Sequence, residues 1–85
     1  MDSVFVFFRE QVYDYDILSQ DLQVFDTKEK AKKAFDEFVN DEKEWLSEHE
    51  KDWVIDENSM NFDAYNEGSY AQYHTTAFWG NYKVQ

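Results

Sequence analysis

Bulky apolar residues follow one another without interruption near the start of this chain, and this feature constrains the fold more than any other. The run from Val4 to Phe8 is rich in β-branched and aromatic residues and is too short for a typical helix, so it predicts a β-strand over Ser3 to Arg9. Neighbouring side chains of a strand point to opposite faces of its sheet. Phe5 and Phe7 are therefore expected on one face, and the valines with Phe8 on the other.

The end of the chain has the same property. Aromatic and β-branched residues dominate the segment "YAQYHTTAFWGNYKV", which predicts a long final strand with a bulge at Gly80. Within that strand Tyr73 and Trp79 point away from His74 and Phe78. A sheet that contains both terminal strands is thus apolar on both faces.

Two further strands and one main helix are predicted between these segments. The segment "QVYDYDILSQ" either extends the first strand or connects it to a second strand over Leu22 to Phe25, and a hairpin of the two strands is the preferred interpretation. The segment "DWVIDE" forms a short strand that ends near Asp56. Asp26 or Thr27 caps the helix, and Asp26 with Glu29 has the spacing of a capping box.

The helix has a clear apolar stripe with one anomaly. At about 100° per residue, one face collects these residues: Ala31, Ala34, Phe35, Phe38, Trp45 and Leu46. Glu42 falls on the same stripe, which indicates either a helix that overhangs the sheet or a break near Asn40. The segment "SMNFDAYNEG" predicts a short second helix, which ends at Gly68.

These elements define a single α+β domain over residues 1–85. A chain of this length buries only ~60 % of its unfolded surface, which is too little for two cores. The predicted order is strand, strand, helix, strand, short helix, strand. The fold class is a two-layer sandwich, in which an antiparallel or mixed sheet of about four strands packs on one main helix.

Composition narrows the classes of function. Nineteen acids and eight bases give a net charge of -11, which repels nucleic acid and anionic lipid, so neither direct nucleic acid binding nor membrane binding is expected. Aromatic residues form 20 % of the chain, which argues against disorder. The absence of cysteine, of a signal-peptide core and of a long apolar run favours a cytoplasmic protein.

The segments "VFDTKEKAKKAFDEF" and "DAYNEGSY", with the strands around them, resemble small α+β proteins of bacteria and their phages. The resemblance covers most of the chain. It implies the α+β fold and carries over no activity, cofactor or site residue.

Sites for catalysis, metals and cofactors are not predicted. The chain has two glycines in all, and it contains none of the usual nucleophile or phosphate-loop motifs. Asp56, Asn58 and Glu67 match three positions of a calcium loop, but Met60 stands where an oxygen ligand belongs. His49 and His74 are far apart in the sequence and have no cysteine to complete a zinc site.

Four lysines, Lys28, Lys30, Lys32 and Lys33, crowd the start of the helix, where free N–H groups could bind an anion. No glycine loop precedes them, and a solvated charged face is the simpler interpretation.

The sequence therefore predicts a non-enzymatic protein–protein interaction module that binds another protein or a second copy of itself. One helix covers only one face of the sheet, so the second needs another cover. The candidate interaction face comprises Phe5, Phe7, Tyr73, Trp79 and Tyr82.

The alternative function is an acidic mimic of nucleic acid that inhibits a DNA- or RNA-binding enzyme. Its candidate acidic face comprises Asp36, Glu37, Asp41, Glu44 and Glu48.

Overall fold

The computed structural model describes residues 3–14, 16–49, 53–66 and 73–83. Its elements are β1 (Ser3–Tyr13), β2 (Asp16–Phe25), α1 (Lys28–Glu48), β3 (Trp53–Glu57), β4 (Asn61–Asn66) and β5 (Tyr73–Lys83). The strands form one sheet in the order β2-β1-β5-β4-β3, and every neighbouring pair is antiparallel. The α+β class and the packing of one helix on one sheet are confirmed. The sheet has five strands where about four were predicted.

The first two strands form a longer hairpin than the sequence predicts. β1 runs on to Tyr13 and β2 begins at Asp16, so the segment between the predicted strands is itself part of the sheet. Asp14 lies in the connection with a φ of 49°, a left-handed conformation that aspartate tolerates better than most residues. A register shift between Gln11 and Val12 marks a bulge in the β1–β2 pairing.

The predicted helix start is confirmed at Thr27, whose side chain accepts a hydrogen bond from the backbone N–H of Lys30 at 3.3 Å. Asp26 forms an ion pair with Lys30 at 2.9 Å. The helix then continues without a break to Glu48, so the break considered near Asn40 is absent.

The predicted short second helix is wrong. Residues Asn61–Asn66 form β4, which pairs with β3 on one side and with β5 on the other. Phe62, Ala64 and Asn66 are buried at alternate positions, which is the period of a strand with one covered face. Gly68, the predicted end of that helix, lies outside the described residues.

The core lies between α1 and one face of the sheet. Its buried apolar residues are Phe7, Ala31, Phe35, Val39, Leu46, Phe62, Ala64, Tyr73, Ala77 and Trp79. Gly80 forms no bulge, since the β1–β5 pairing is unbroken from the pair of Ser3 with Lys83 to the pair of Tyr13 with Tyr73. None of the described helices is long and apolar enough to cross a membrane.

The molecule is thin for its length. Its radius of gyration is 14.1 Å, whereas a compact chain of this size has about 12 Å. The smallest principal extent is 16 Å, which accommodates a helix layer and a sheet layer. The second face of the sheet therefore has no third layer over it in the described part of the chain.

Candidate functional site: the open face of the sheet

The open face is the side of the sheet that points away from α1. The strand register fixes its members, because Val6 lies between Val24 and Gly80, and Phe8 lies between Leu22 and Phe78. No described helix or loop packs on these side chains, since α1 contacts the sheet through the opposite residue set.

Seven apolar side chains form a continuous patch at one end of the open face. This apolar patch comprises Val4, Val6, Phe8, Leu22, Val24, Phe78 and Tyr82. Leu22 and Val24 are each 60 % exposed, and Tyr82 is 49 % exposed. The rings of Phe8 and Phe78 contact each other with centroids 5.3 Å apart. The patch contains no charged residue, although 32 % of the chain is charged.

Gly80 lies within the patch beneath the ring of Tyr82. A Cβ at this position would lie 3.3 Å from Cε2 of Tyr82. The absence of a side chain lets the ring lie close to the sheet and widens the flat apolar surface.

A polar belt follows the apolar patch along the same face. The register places Glu10 beside Gln20 and Thr76, and Thr76 beside Asp63. Beyond this belt, His74 lies 3.4 Å from Asp63. The polar belt thus interrupts the open face, since the register places Val12, Ile17 and Tyr65 beyond it, in the same cross-strand row as His74.

The structure places most of the predicted interaction residues in the core instead of on the surface. Phe7, Tyr73 and Trp79 are at most 8 % exposed, and Phe5 packs partly buried against the same core. The helix covers this set because odd-numbered residues of β1 face α1. Of the five residues named from the sequence, Tyr82 alone lies on the open face.

The predicted acidic residues lie on the helix, largely on its solvent side. Glu37, Asp41, Glu44 and Glu48, here called the acidic row, are all exposed and recur every three or four residues opposite the buried stripe. Asp36 is offset from this row and is paired with Lys32 at 2.7 Å. The acidic row and the open face thus lie on opposite sides of the molecule.

A second polar arrangement is buried between α1 and the sheet. Oε1 of Glu42 accepts hydrogen bonds from Gln11 Nε2 at 2.8 Å, from Tyr73 Oη at 2.8 Å and from Thr75 Oγ1 at 2.6 Å. Glu42 is only 6 % exposed. These four residues, the Glu42 cluster, explain why an acid occupies the apolar stripe of the helix: strand residues supply the donors that a buried carboxylate requires.

An open pocket of about 220 Å³ adjoins the Glu42 cluster. Gln11, Leu18, Glu42, Trp45 and Tyr73 line it. Burial and the neighbouring Glu42 carboxylate raise the pKa of Tyr73 above its ordinary value of 10.0. Tyr73 therefore keeps its proton and remains a hydrogen-bond donor to Glu42. Sequence reasoning missed this site, although the acid on the apolar stripe was its signal.

The other chemistry considered from the sequence is not assembled in the described residues. Lys30, Lys32 and Lys33 each pair with an acid one helical turn away, at 2.9, 2.7 and 4.0 Å. Among the described residues no group of three potential metal ligands comes together, and Glu67 of the calcium-like pattern lies outside them. His74 and Thr75 point to opposite faces, as predicted.

Comparison with known proteins gives no relative from which a role could be transferred. No protein family, no curated protein and no solved structure matches the chain. Function is therefore inferred from the open face, the acidic row and the Glu42 cluster.

Proposed function

We propose that the protein is a non-enzymatic interaction module that binds a second copy of itself through the open face. The observation that carries the proposal is the uncovered apolar patch. Half-exposed leucine, valine and tyrosine side chains lie side by side on it, and a patch of this kind on a solitary molecule is unusual unless it binds something.

The size of the open face supports a dimer. β1 and β5 have 11 residues each and β2 has 10. Three strands of this length, about 4.8 Å apart with a rise of about 3.3 Å per residue, present roughly 500 Å² in projection. β3 and β4 widen this surface towards the ~800 Å² that each partner contributes to a standard interface.

The charge distribution also supports self-association in spite of the net charge of -11. The acidic row lies behind the sheet, on the outer side of α1. The patch itself is neutral. A two-fold axis through the patch would stack the two sheets face to face, patch against patch.

The test is a pair of substitutions at neighbouring residues of β2. Leu22 and Gln23 are both exposed, but Leu22 lies on the open face and Gln23 on the helix side. We expect the wild-type protein and Gln23→Glu to sediment as dimers, because a charge on the helix side leaves the patch intact. Leu22→Glu should sediment as a monomer, because it places a carboxylate in an apolar interface.

Sedimentation velocity over a range of concentrations measures the outcome, with circular dichroism as the check that both variants are folded. A wild-type protein that stays monomeric up to about 0.1 mM would contradict self-association with a dissociation constant in the micromolar range. Equal behaviour of the two variants would show that any dimer uses another surface.

The acidic row supports a second candidate function, inhibition of a nucleic-acid enzyme by mimicry. The unbroken helix brings Glu37, Asp41, Glu44 and Glu48 into one solvent-facing line, with neighbouring carboxylates about 4.5–6 Å apart along the axis. A mimic of this kind should compete with DNA for a basic protein, and a Glu44→Lys substitution should weaken that competition. The dimer should persist with the same change, because Glu44 lies on the outer side of α1, away from the open face.

A further inference from the structure

The carboxylate of Glu42 has one saturated oxygen and one that no described residue uses. All three donors of the Glu42 cluster end on Oε1. None of the described side chains donates to Oε2, and no buried side-chain oxygen or nitrogen in the described structure lacks a partner. Oε2 therefore lies on the side of the carboxylate that can still be reached, next to the pocket that Glu42 lines.

The buried charge has no basic partner among the described residues. Arg9 is the one base on the helix-facing side of β1. Its guanidinium donates to Ser19 Oγ at 2.8 Å and lies 5.8 Å from the ring centre of Phe38. The donors on Glu42 are an amide and two hydroxyls, none of which brings a positive charge to the cluster. A buried negative charge favours a cation, because neutral donors compensate only part of the lost hydration.

Two aromatic rings line the pocket beside this carboxylate, and one of them, Trp45, also stacks on His49 at 3.9 Å. Trp45 and Tyr73 are walls of the pocket, with ring centroids 4.9 Å apart. Trp53 packs edge-on against Tyr73 and Trp45, with ring centroids 5.9 and 5.8 Å apart, and so supports both rings. Aromatic faces attract cations, and most strongly where water is excluded.

We propose that this pocket binds the ammonium group of a small primary alkylamine. The N–H groups of the amine would donate to Oε2 of Glu42, and its carbon chain would lie against Trp45, Tyr73 and Leu18. This inference concerns the helix side of the sheet and is independent of self-association through the open face.

The dimensions and the charge of the protein define the class of ligand. A volume of about 220 Å³ is smaller than the ~300–1,000 Å³ of most ligand clefts, so a nucleotide or a folded peptide is too large. The net charge of -11 raises the local concentration of cations. Carboxylate and phosphate ligands are disfavoured for the same reason.

The test is an NMR titration with butylammonium. A parallel titration with 1-butanol over the same concentrations is the uncharged control. We expect butylammonium to shift the side-chain amide signals of Gln11 and the indole signal of Trp45. Because so small a ligand makes few contacts, its dissociation constant should lie in the millimolar range. The alcohol should leave these signals in place. Both titrations are run at constant ionic strength.

Matched variants separate the site from the overall charge. Glu42→Gln keeps the size of the side chain and removes its charge, and it should weaken butylammonium binding by about tenfold or more. Glu44→Gln removes the same charge from the exposed side of the helix and should change the dissociation constant by less than about twofold. Trp45→Leu tests the aromatic wall and should also weaken binding.

Three results would overturn the inference: no shift at the pocket signals, equal binding of the alcohol, or undiminished binding by Glu42→Gln. If Glu42→Gln does not fold, the alcohol comparison and Trp45→Leu decide the question. In that case, the proposed site is contradicted if 1-butanol binds as well as butylammonium and Trp45→Leu binds butylammonium as well as wild type.

Discussion

At the scale of single residues, Tyr73 connects the core to the buried acid. Its hydroxyl donates to Glu42 at 2.8 Å, and its ring packs against Trp45 and Trp53. Burial and the adjacent carboxylate raise the pKa of this hydroxyl, so the folded protein holds the proton more tightly than the unfolded chain does.

The raised pKa predicts a specific loss of stability in alkali. Below pH 10 the Tyr73 hydroxyl is protonated in both states, and its contribution to the free energy of unfolding is complete. Above about pH 10 the unfolded chain releases this proton while the folded protein retains it. We therefore expect the free energy of unfolding to fall as the pH rises from about 10, and to fall less steeply in Tyr73→Phe.

Urea unfolding at a series of alkaline pH values measures this difference, and Tyr82→Phe is the matched control because Tyr82 lies on the open face. At neutral pH, Tyr73→Phe should already be less stable, by about 1.5–3 kcal/mol, since it loses a hydrogen bond to a charged group. Parallel pH profiles for wild type and Tyr73→Phe would contradict the expected role of the proton.

Glu42 shows why part of the site could not be predicted from the sequence. Its position on the apolar stripe was visible, but its donors lie 31 to 33 residues away in the chain. Helical periodicity reports which residues share a face and carries no information on the polar groups of the opposing strands. The acid therefore suggested a break or an overhang, whereas the strands supply three hydrogen-bond donors.

At the scale of elements, the N-terminus of α1 depends on one side chain. Thr27 accepts the backbone N–H of Lys30, and its own backbone is extended, as an N-cap requires. Thr27→Ala should lower the free energy of unfolding by about 0.5–2 kcal/mol because that N–H loses its partner. Thr27→Asn should stay within a few tenths of a kcal/mol of wild type, because asparagine is an equally good N-cap.

Urea denaturation followed by circular dichroism measures both variants at one protein concentration. Thr27 is exposed and caps α1, which packs on the face of the sheet opposite the apolar patch, so neither change should alter association. Equal stabilities of Thr27→Ala and Thr27→Asn would show that the cap contributes nothing to the folded state.

Local patterns predicted most of the elements and failed where a glycine alone was taken to mark the end of a helix. The dense apolar run at Val4 to Phe8 and the capped, amphipathic segment after Thr27 gave the right element types. The glycine after Asn61–Asn66 predicted a helix end, whereas the alternating burial of Phe62, Ala64 and Asn66 in the structure is that of a strand. The pairing with β3 and β5 stabilises the strand, and that pairing is a long-range property.

At the scale of the whole molecule, the sequence predicted two apolar sides of the sheet, and the position of the helix decides which one is covered. Alternation separates Phe5 and Phe7 from Val6 and Phe8, but it does not show which set faces α1. In the structure the larger aromatic set forms the core with the helix. The smaller β-branched side chains, together with Phe8, Phe78 and Tyr82, remain on the open face.

Because the net charge is -11, the salt dependence of binding distinguishes the proposed dimer from the proposed nucleic-acid mimic. Two copies repel each other through long-range charge, whereas the apolar patch that joins them contains no ion pair for salt to weaken. Raising NaCl from about 0.05 M to about 0.5 M shortens the screening length to a few ångströms and should tighten the dimer several-fold. A mimic bound to a basic protein should instead dissociate as salt rises.

Sedimentation equilibrium at the two salt concentrations gives the dissociation constants. The double variant Asp41→Asn, Glu44→Gln removes two charges from the outer side of α1 and leaves the open face unchanged. It should dimerise more tightly than wild type at low salt and should respond less to added salt, because less repulsion remains to be screened. A wild-type dimer that weakens as salt rises would mean that ion pairs hold it together, and the neutral patch would then not be its interface.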